Sequence, residues 1–262
     1  MAEMASTTGG RCTMVGLADA RVAEAHTTAH GGFFYVREFI SAEEEAYLIR
    51  KIDSAPRPQW KHLKHRRLQQ WGGELAERTG ALLPAALPAH VTDYPDLVAR
   101  IAATGAFHES RHAAPNHCVC LVHLTQLVNE YLPGQGILPH TDGPAYFPAV
   151  ATISLQGHTL LDLYANVPGE ACPAEPVFSL LQEPRSLLVT CGDAYTQFLH
   201  GIAERDVDEP VHMSRIANKE ALSGAWRVAC EHGALLRTRR VSLTFRDVEK
   251  VHKGLRLGKL HT

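Results

Sequence analysis

From about Val119 onward, apolar and polar positions alternate in short runs separated by Gly, Pro, Asn and Asp, the pattern of strands with one packed face. The runs predict strands over Val119–Asn129, Ala151–Leu155, Thr159–Tyr164, Ser186–Thr190 and Tyr195–His200, with Gly192-Asp193 as the turn between the last two. Alternation continues through Leu127–Tyr131 up to the turn at Pro133-Gly134, which puts Asn129 and Tyr131 on one face. In Arg240–Arg246, Val241, Leu243 and Phe245 share the apolar face while Arg240, Ser242, Thr244 and Arg246 share the other. Upstream, Gly32–Val36 reads as a short strand, Ser41-Ala-Glu-Glu44 as a capping box opening a helix to about Asp53, and Tyr94 to Ala103 as a second helix.

Ala203 to Thr238 breaks the strand pattern with a polar, poorly periodic stretch, expected to be a mobile insertion holding a short helix near Lys219–Ala229. Many short strands after a helical N-terminal part predict an α+β chain whose core is a double-stranded β-helix, or jelly roll, with the N-terminal helices packed on one sheet. The expected organisation is a flexible segment over 1–30, one domain over 31–250 and a basic tail over 251–262. Within that domain the jelly-roll core covers about 119–246 and the insertion about 203–238.

The candidate chemistry is a metal site. On a strand, positions two apart face the same way, so His140 and Asp142 can grip one ion together, and His200 at the end of another strand can supply a third ligand. One His-x-Asp is a weak signal in a chain with 16 histidines. Two imidazoles and a carboxylate leave three coordination positions open, as in non-haem Fe(II) oxygenases, whereas a structural zinc site is closed by four protein ligands. Asn129 and Tyr131 can hydrogen-bond an oxygen-rich ligand. Arg240 and Arg246, with alpha carbons about 20 Å apart, can lean inward to bracket a short dicarboxylate, the plain alternative being two solvated arginines.

Composition narrows the class. With 262 residues, 45% of them hydrophobic, the chain can bury one sizeable core. A formal charge of −2 argues against coating nucleic acid by bulk electrostatics, so any such contact must be local. The absence of a membrane-length apolar run or a secretory block leads to an expected address in cytoplasm and nucleus, with no membrane partner. Six irregularly spaced cysteines, Cys118 and Cys120 among them, read as reduced thiols rather than a disulfide framework or a zinc site.

The local basic region is Arg57–Arg67, with five positive charges, no acid and Trp60, followed by Trp71. Lys61, Lys64, Arg66 and Arg67 are candidates for phosphate contact, and Trp71 and Tyr146 for stacking on a base. The alternatives are a solvated charged face and aromatic residues that anchor loops or fill the core.

On Pro133-Gly-Gln-Gly-Ile-Leu-Pro-His-Thr-Asp-Gly-Pro-Ala-Tyr-Phe-Pro148, Glu183-Pro-Arg-Ser-Leu-Leu188 and Leu199-His-Gly-Ile202, the sequence resembles the AlkB family of Fe(II)- and 2-oxoglutarate-dependent dioxygenases. Within it the likeness is greatest to the sixth-homologue subfamily. The match is specific from about Asn129 to Arg246 and loose from about Phe33 to His123. The resemblance implies iron held by His140, Asp142 and His200, and 2-oxoglutarate held by Asn129, Tyr131, Arg240 and Arg246. Where several members carry Asn between the two arginines, this chain has the shorter Ser242, the fifth residue expected at the co-substrate. The implied reaction consumes O2 and 2-oxoglutarate, yields succinate and CO2, and hydroxylates a substrate C–H bond; on an N-methyl group the outcome is demethylation with release of formaldehyde. The expected substrate is alkylated nucleic acid, DNA or RNA, single-stranded or damaged, met by a monomer. A protein hydroxylase or demethylase of the same chemistry, and a silent iron- and 2-oxoglutarate-binding sensor or nucleic-acid-binding module, are the alternatives.

Overall fold

The computed structural model describes residues 22–24, 32–69, 71–118 and 128–252. The readings of a flexible N-terminal segment, of a strand starting at Val119, of the Cys118 and Cys120 thiols and of a basic tail fall wholly or mainly outside the described residues.

In chain order the strands are β1 (Val22–Glu24), β2 (Phe33–Val36), β3 (Lys61–Leu63), β4 (Arg66–Gln69), β5 (Gly73–Leu75), β6 (Leu82–Pro84), β7 (His117–Cys118), β8 (Val128–Tyr131), β9 (Ile137–His140), β10 (Tyr146–Gln156), β11 (Thr159–Ala165), β12 (Phe178–Gln182), β13 (Leu187–Cys191), β14 (Phe198–Ile202), β15 (Val207–Asp208), β16 (Leu235–Leu236) and β17 (Arg240–Val248). The α-helices are α1 (Ala42–Asp53), α2 (Ala89–Thr92), α3 (Leu97–Ala102), α4 (Asp193–Gln197), α5 (Pro210–Met213) and α6 (Gly224–His232). Nine strands make one sheet in the order β1-β2-β13-β10-β17-β8-β4-β3, with β7 joined to β17. Four make a second sheet in the order β12-β11-β14-β9. These are the two antiparallel sheets of the expected jelly roll, and the chamber described below lies between them.

The central strand β17 is buried along its whole length. Val241, Leu243 and Phe245 enter the main core with Leu48 and Ile52 of α1 and Leu97 and Ile101 of α3. Each such side chain contributes about 1.5–3 kcal/mol by leaving water. The helix α1 begins as the sequence predicts: Ser41 Oγ accepts from the Glu44 N–H at 3.2 Å while the Glu44 carboxylate accepts from the Ser41 N–H at 2.8 Å. The second predicted helix is shorter, because the helical turns stop at Thr92 and resume at Leu97 behind an Asp96 cap.

Three predictions are corrected. Tyr195 to Gln197 is helical rather than extended, since Gly192 turns with a φ of 58° and the chain crosses through α4 from β13 in the large sheet to β14 in the small one. Gly192-Asp193 is therefore a crossover, and no hairpin joins these strands. The sequence reading also left out β12. Finally, Ala203–Thr238 is a packed cap: Met213, Ile216, Leu222 and Cys230 join a second core cluster with Leu160, Leu180 and Leu181 of the small sheet. Its buried polar residues, Asp208, Asn218 and Arg237, are all paired. Asn218 exchanges two 2.9 Å hydrogen bonds with the Leu181 backbone, and Arg237 grips Asp208 at 2.8 and 2.7 Å, with His158 at 3.1 Å from the same carboxylate.

Candidate metal centre and adjoining chamber

His140 ends β9 and His200 lies within β14, directly opposite in register, with ring centroids 4.4 Å apart. The strand β14 is fixed two residues earlier by Phe198, whose ring meets Phe33 at 6.0 Å and Phe178 at 5.3 Å. Such aromatic pairs each add about 0.5–1.5 kcal/mol beyond burial. Asp142 follows the end of β9 in a loop, so it reaches the histidines by the turn of the chain and not by strand alternation as predicted. Tyr195 of α4 donates to the Gly143 carbonyl at 3.0 Å and so ties down that loop.

The potential ligand atoms of His140, Asp142 and His200 all lie within 4.8 Å of one another. His140 Nδ1 donates to the Leu138 carbonyl at 2.8 Å, which fixes the tautomer and leaves the buried Nε2 as the ligand nitrogen. Burial, with the charge of His140 adding to it, pushes His200 down to about 3, so its imidazole is neutral at neutral pH. Burial alone would raise the Asp142 carboxyl, but the adjacent Arg246 charge and its hydrogen bonds outweigh burial and hold it below the ordinary value. Two imidazoles, that of His200 neutral, and one ionised carboxylate form the donor set a divalent transition metal requires.

Arg246 donates Nε to Asp142 Oδ2 at 2.8 Å and Nη2 to Oδ1 at 2.6 Å, a bidentate pair in which each side chain is 1% exposed. The site opens into a chamber of about 710 Å³, its mouth included, that is lined by Asn129, Tyr131, Arg240, Ser242, Thr244 and Arg246, among others. In register Asn129 faces Ser242 and Tyr131 faces Arg240 across β8 and β17, so the five residues predicted for 2-oxoglutarate come together. The two arginines do not bracket a ligand in equal fashion. Arg246 serves the Asp142 carboxylate, whose two oxygens match its planar fork. Arg240 is held by Ser154 Oγ at 2.8 Å and Gln182 Oε1 at 3.1 Å, with the Tyr131 ring centroid 5.7 Å away. Sequence reasoning missed Ser154, Gln182 and Tyr195. The one available signal was Ser154, which with Thr152 puts a hydroxyl on alternate positions of the run Ala151–Leu155.

The substrate candidates divide. Lys61 and Lys64 are exposed on the hairpin of β3 and β4. Arg67 is not available for phosphate, since it pairs with Glu130 at 2.7 and 2.8 Å and lies 4.0 Å over the Trp60 ring. Stacking of a base on Trp71 is also corrected: Trp60 and Trp71, 8% and 9% exposed, are part of the main core. Tyr146 is buried with Leu82 and Val248, its ring 5.2 Å from the Arg246 guanidinium, and so offers no open face. Arg66 donates Nε to Asn129 Oδ1 at 3.2 Å. Among the described residues no helix is long and apolar enough to cross a membrane.

No protein-family model matches the chain. It is 40% identical over 240 residues to the probable RNA/DNA demethylase ALKBH6 of Danio rerio, covering 86% of this chain and 90% of that protein. It is 26% identical over 224 residues to the tRNA (carboxymethyluridine(34)-5-O)-methyltransferase alkbh8 of Xenopus tropicalis, covering 83% of this chain and 32% of that one. The solved structure of OsALKBH1 superimposes with a TM-score of 0.49 at 14% identity, over 84% of this chain and 100% of that one. The zebrafish likeness extends well beyond the His140–Asp142 segment, over nearly the whole of both proteins, and this chain belongs to the AlkB family of Fe(II)- and 2-oxoglutarate-dependent dioxygenases.

Proposed function

We propose that the chamber carries out oxidative demethylation of alkylated nucleic acid, with Fe(II) held by His140, Asp142 and His200 and 2-oxoglutarate between the iron and Arg240. The observation that carries this reading is the junction of a metal-type donor triad with a buried arginine in one chamber. When bound, the iron, O2 and co-substrate supply oxidative decarboxylation to succinate and CO2 coupled to hydroxylation of a substrate C–H bond, which on an N-methyl group releases formaldehyde.

The protein's own part is placement and exclusion of water. Arg246 keeps Asp142 ionised and oriented. Arg240, fixed by the neutral oxygens of Ser154 and Gln182, presents a planar cation that suits a carboxylate, with Tyr131, Asn129 and Ser242 beside it. Leu161, Leu163, Leu188 and Phe198 give the chamber an apolar wall that keeps water from the reaction.

Likeness to a probable RNA/DNA demethylase and to a tRNA methyltransferase supports a nucleic-acid substrate. Lys61 and Lys64 supply the local cationic surface on a chain of net charge −2. The test is succinate formation by the purified protein with Fe(II), 2-oxoglutarate and ascorbate under air, with a panel of N-methylated oligonucleotides and peptides. Stimulation by a methylated oligonucleotide with matching release of formaldehyde is expected. Stimulation by peptides alone would overturn the substrate class, and no succinate under any condition would overturn the enzyme reading.

A further inference from the structure

The hairpin and the chamber meet at one side-chain contact. In the β4–β8 register Leu68 faces Asn129 and Arg67 faces Glu130, so alternation puts Arg66 on the chamber side of the sheet and Arg67 on its back. Arg67 anchors the hairpin from behind through Glu130 and Trp60. On the chamber side Arg66 Nε donates to Asn129 Oδ1 at 3.2 Å, and Asn129 is 2% exposed and lines the chamber.

The chemistry of the two groups sets the orientation of the amide. A guanidinium has donors and no acceptor, so it can hold an asparagine only by its carbonyl oxygen. The Asn129 NH2 group is then turned away from Arg66. A carboxylate has only acceptors, so an asparagine that presents NH2 binds it and one that presents Oδ1 repels it. The hairpin also touches Ile137 of the small sheet through Leu68, and Glu204 just past β14 through His65 Nδ1 at 2.9 Å, and its exposed face carries Lys61 and Lys64.

We infer that Arg66 is a positioning residue: it fixes the Asn129 amide in the sense that donates to the co-substrate, and it thereby couples an occupied chamber to the order of the basic hairpin. The inference rests on the reading of the chamber as a 2-oxoglutarate site. Because coupling is reciprocal, a co-substrate that tightens Asn129 also tightens Arg66 and the strand that carries it. In the sequence Arg66 stood as a candidate phosphate contact; the structure gives it a partner inside the fold.

The experiment uses the full chain loaded with Mn(II), which binds the same donor set without turnover. Two quantities are measured on wild type, Arg66→Ala and Arg66→Lys: the dissociation constant of 2-oxoglutarate by calorimetry, and amide hydrogen exchange in residues 61–69 with and without 2-oxoglutarate. Wild type is expected to bind 2-oxoglutarate and to slow exchange across the hairpin. Arg66→Ala is expected to weaken 2-oxoglutarate about five- to ten-fold, the effect of one ordinary net hydrogen bond lost through a misoriented amide, and to lose the hairpin response, with Mn(II) affinity and melting temperature unchanged. Arg66→Lys, which keeps a donor, is expected to recover most of both. An affinity for 2-oxoglutarate in Arg66→Ala within two-fold of wild type, or an unaltered hairpin response, would overturn the inference alone. Failure of wild type to bind 2-oxoglutarate would overturn the reading of the chamber as well.

Discussion

Arg246 and Arg240 sit on the same face of one strand, at 1% and 3% exposure, yet they occupy different electrostatic settings. Arg246 meets an ionised partner, Asp142, in a two-pronged pair. Arg240 donates to Ser154 Oγ and Gln182 Oε1, with the Tyr131 ring beside it. The difference teaches that two buried arginines on one strand face can be directed to different neighbours, one to the carboxylate of a metal-type triad and one to hydroxyl and amide oxygens on the chamber wall, and that the neighbour's chemistry sets the direction. The sequence, which shows two arginines at even spacing, treats the two ends alike.

Removing the partner at the paired end is the harshest way to break this comparison. Asp142→Ala takes away a metal ligand and strands the Arg246 charge, so succinate formation is expected to vanish and stability to fall by about 3–5 kcal/mol, read by turnover and chemical denaturation. Asp142→Asn combined with Arg246→Met is expected to regain most of that stability and none of the activity. At the other end, Arg240→Met is expected to raise the 2-oxoglutarate requirement roughly 10- to 100-fold, as for the loss of a charged hydrogen bond of about 1.5–3 kcal/mol, with metal affinity and melting temperature intact. An unchanged requirement would mean the co-substrate lies elsewhere.

A second buried ion pair serves as the control. Burial would raise the Asp208 carboxyl, but His158 and Arg237 hold it down at about 2, below the value of about 3.9 in an unfolded chain. A depressed folded value stabilises at pH above the unfolded value and is lost as pH falls through the folded one. Asp208→Asn is therefore expected to cost on the order of 2 kcal/mol at pH 7, less and less between about pH 4 and pH 2, with no change in 2-oxoglutarate affinity. Denaturation curves at several pH values check it. The smallest effect belongs to the hairpin surface: Lys61→Glu with Lys64→Glu is expected to weaken binding of a single-stranded oligonucleotide several-fold and to flatten its salt dependence by about two phosphate contacts, measured by fluorescence anisotropy across a salt series.

Alternation with a period of two made β17 legible, because Val241, Leu243 and Phe245 could have no other face than the core. The capping box at Ser41 and Glu44 was legible for a similar reason, its chemistry being local. The triad was legible as residues, but Asp142 arrives from a loop, and nothing in a His-x-Asp spacing separates a strand from the turn that follows it. Tyr195 to Gln197 has the composition of a strand and forms a helix because the chain must cross between sheets there, a demand set by topology. Trp60 and Trp71 looked available to a ligand because the core cluster that takes them in is assembled only by folding, from residues distant in sequence. The cap looked loose because its polar residues are scattered in sequence; only folding pairs Asp208 with Arg237 and Asn218 with Leu181.

The central claim, that a metal and 2-oxoglutarate share the chamber between His200 and Arg240, is tested most directly under anaerobic conditions by the visible charge-transfer absorption of an iron(II)–keto-acid chelate. The account predicts a band in the wild-type protein only when Fe(II) and 2-oxoglutarate are both present, absent from His200→Ala and shifted to higher 2-oxoglutarate concentration in Arg240→Met. A band of equal strength in His200→Ala at the same concentrations would contradict it.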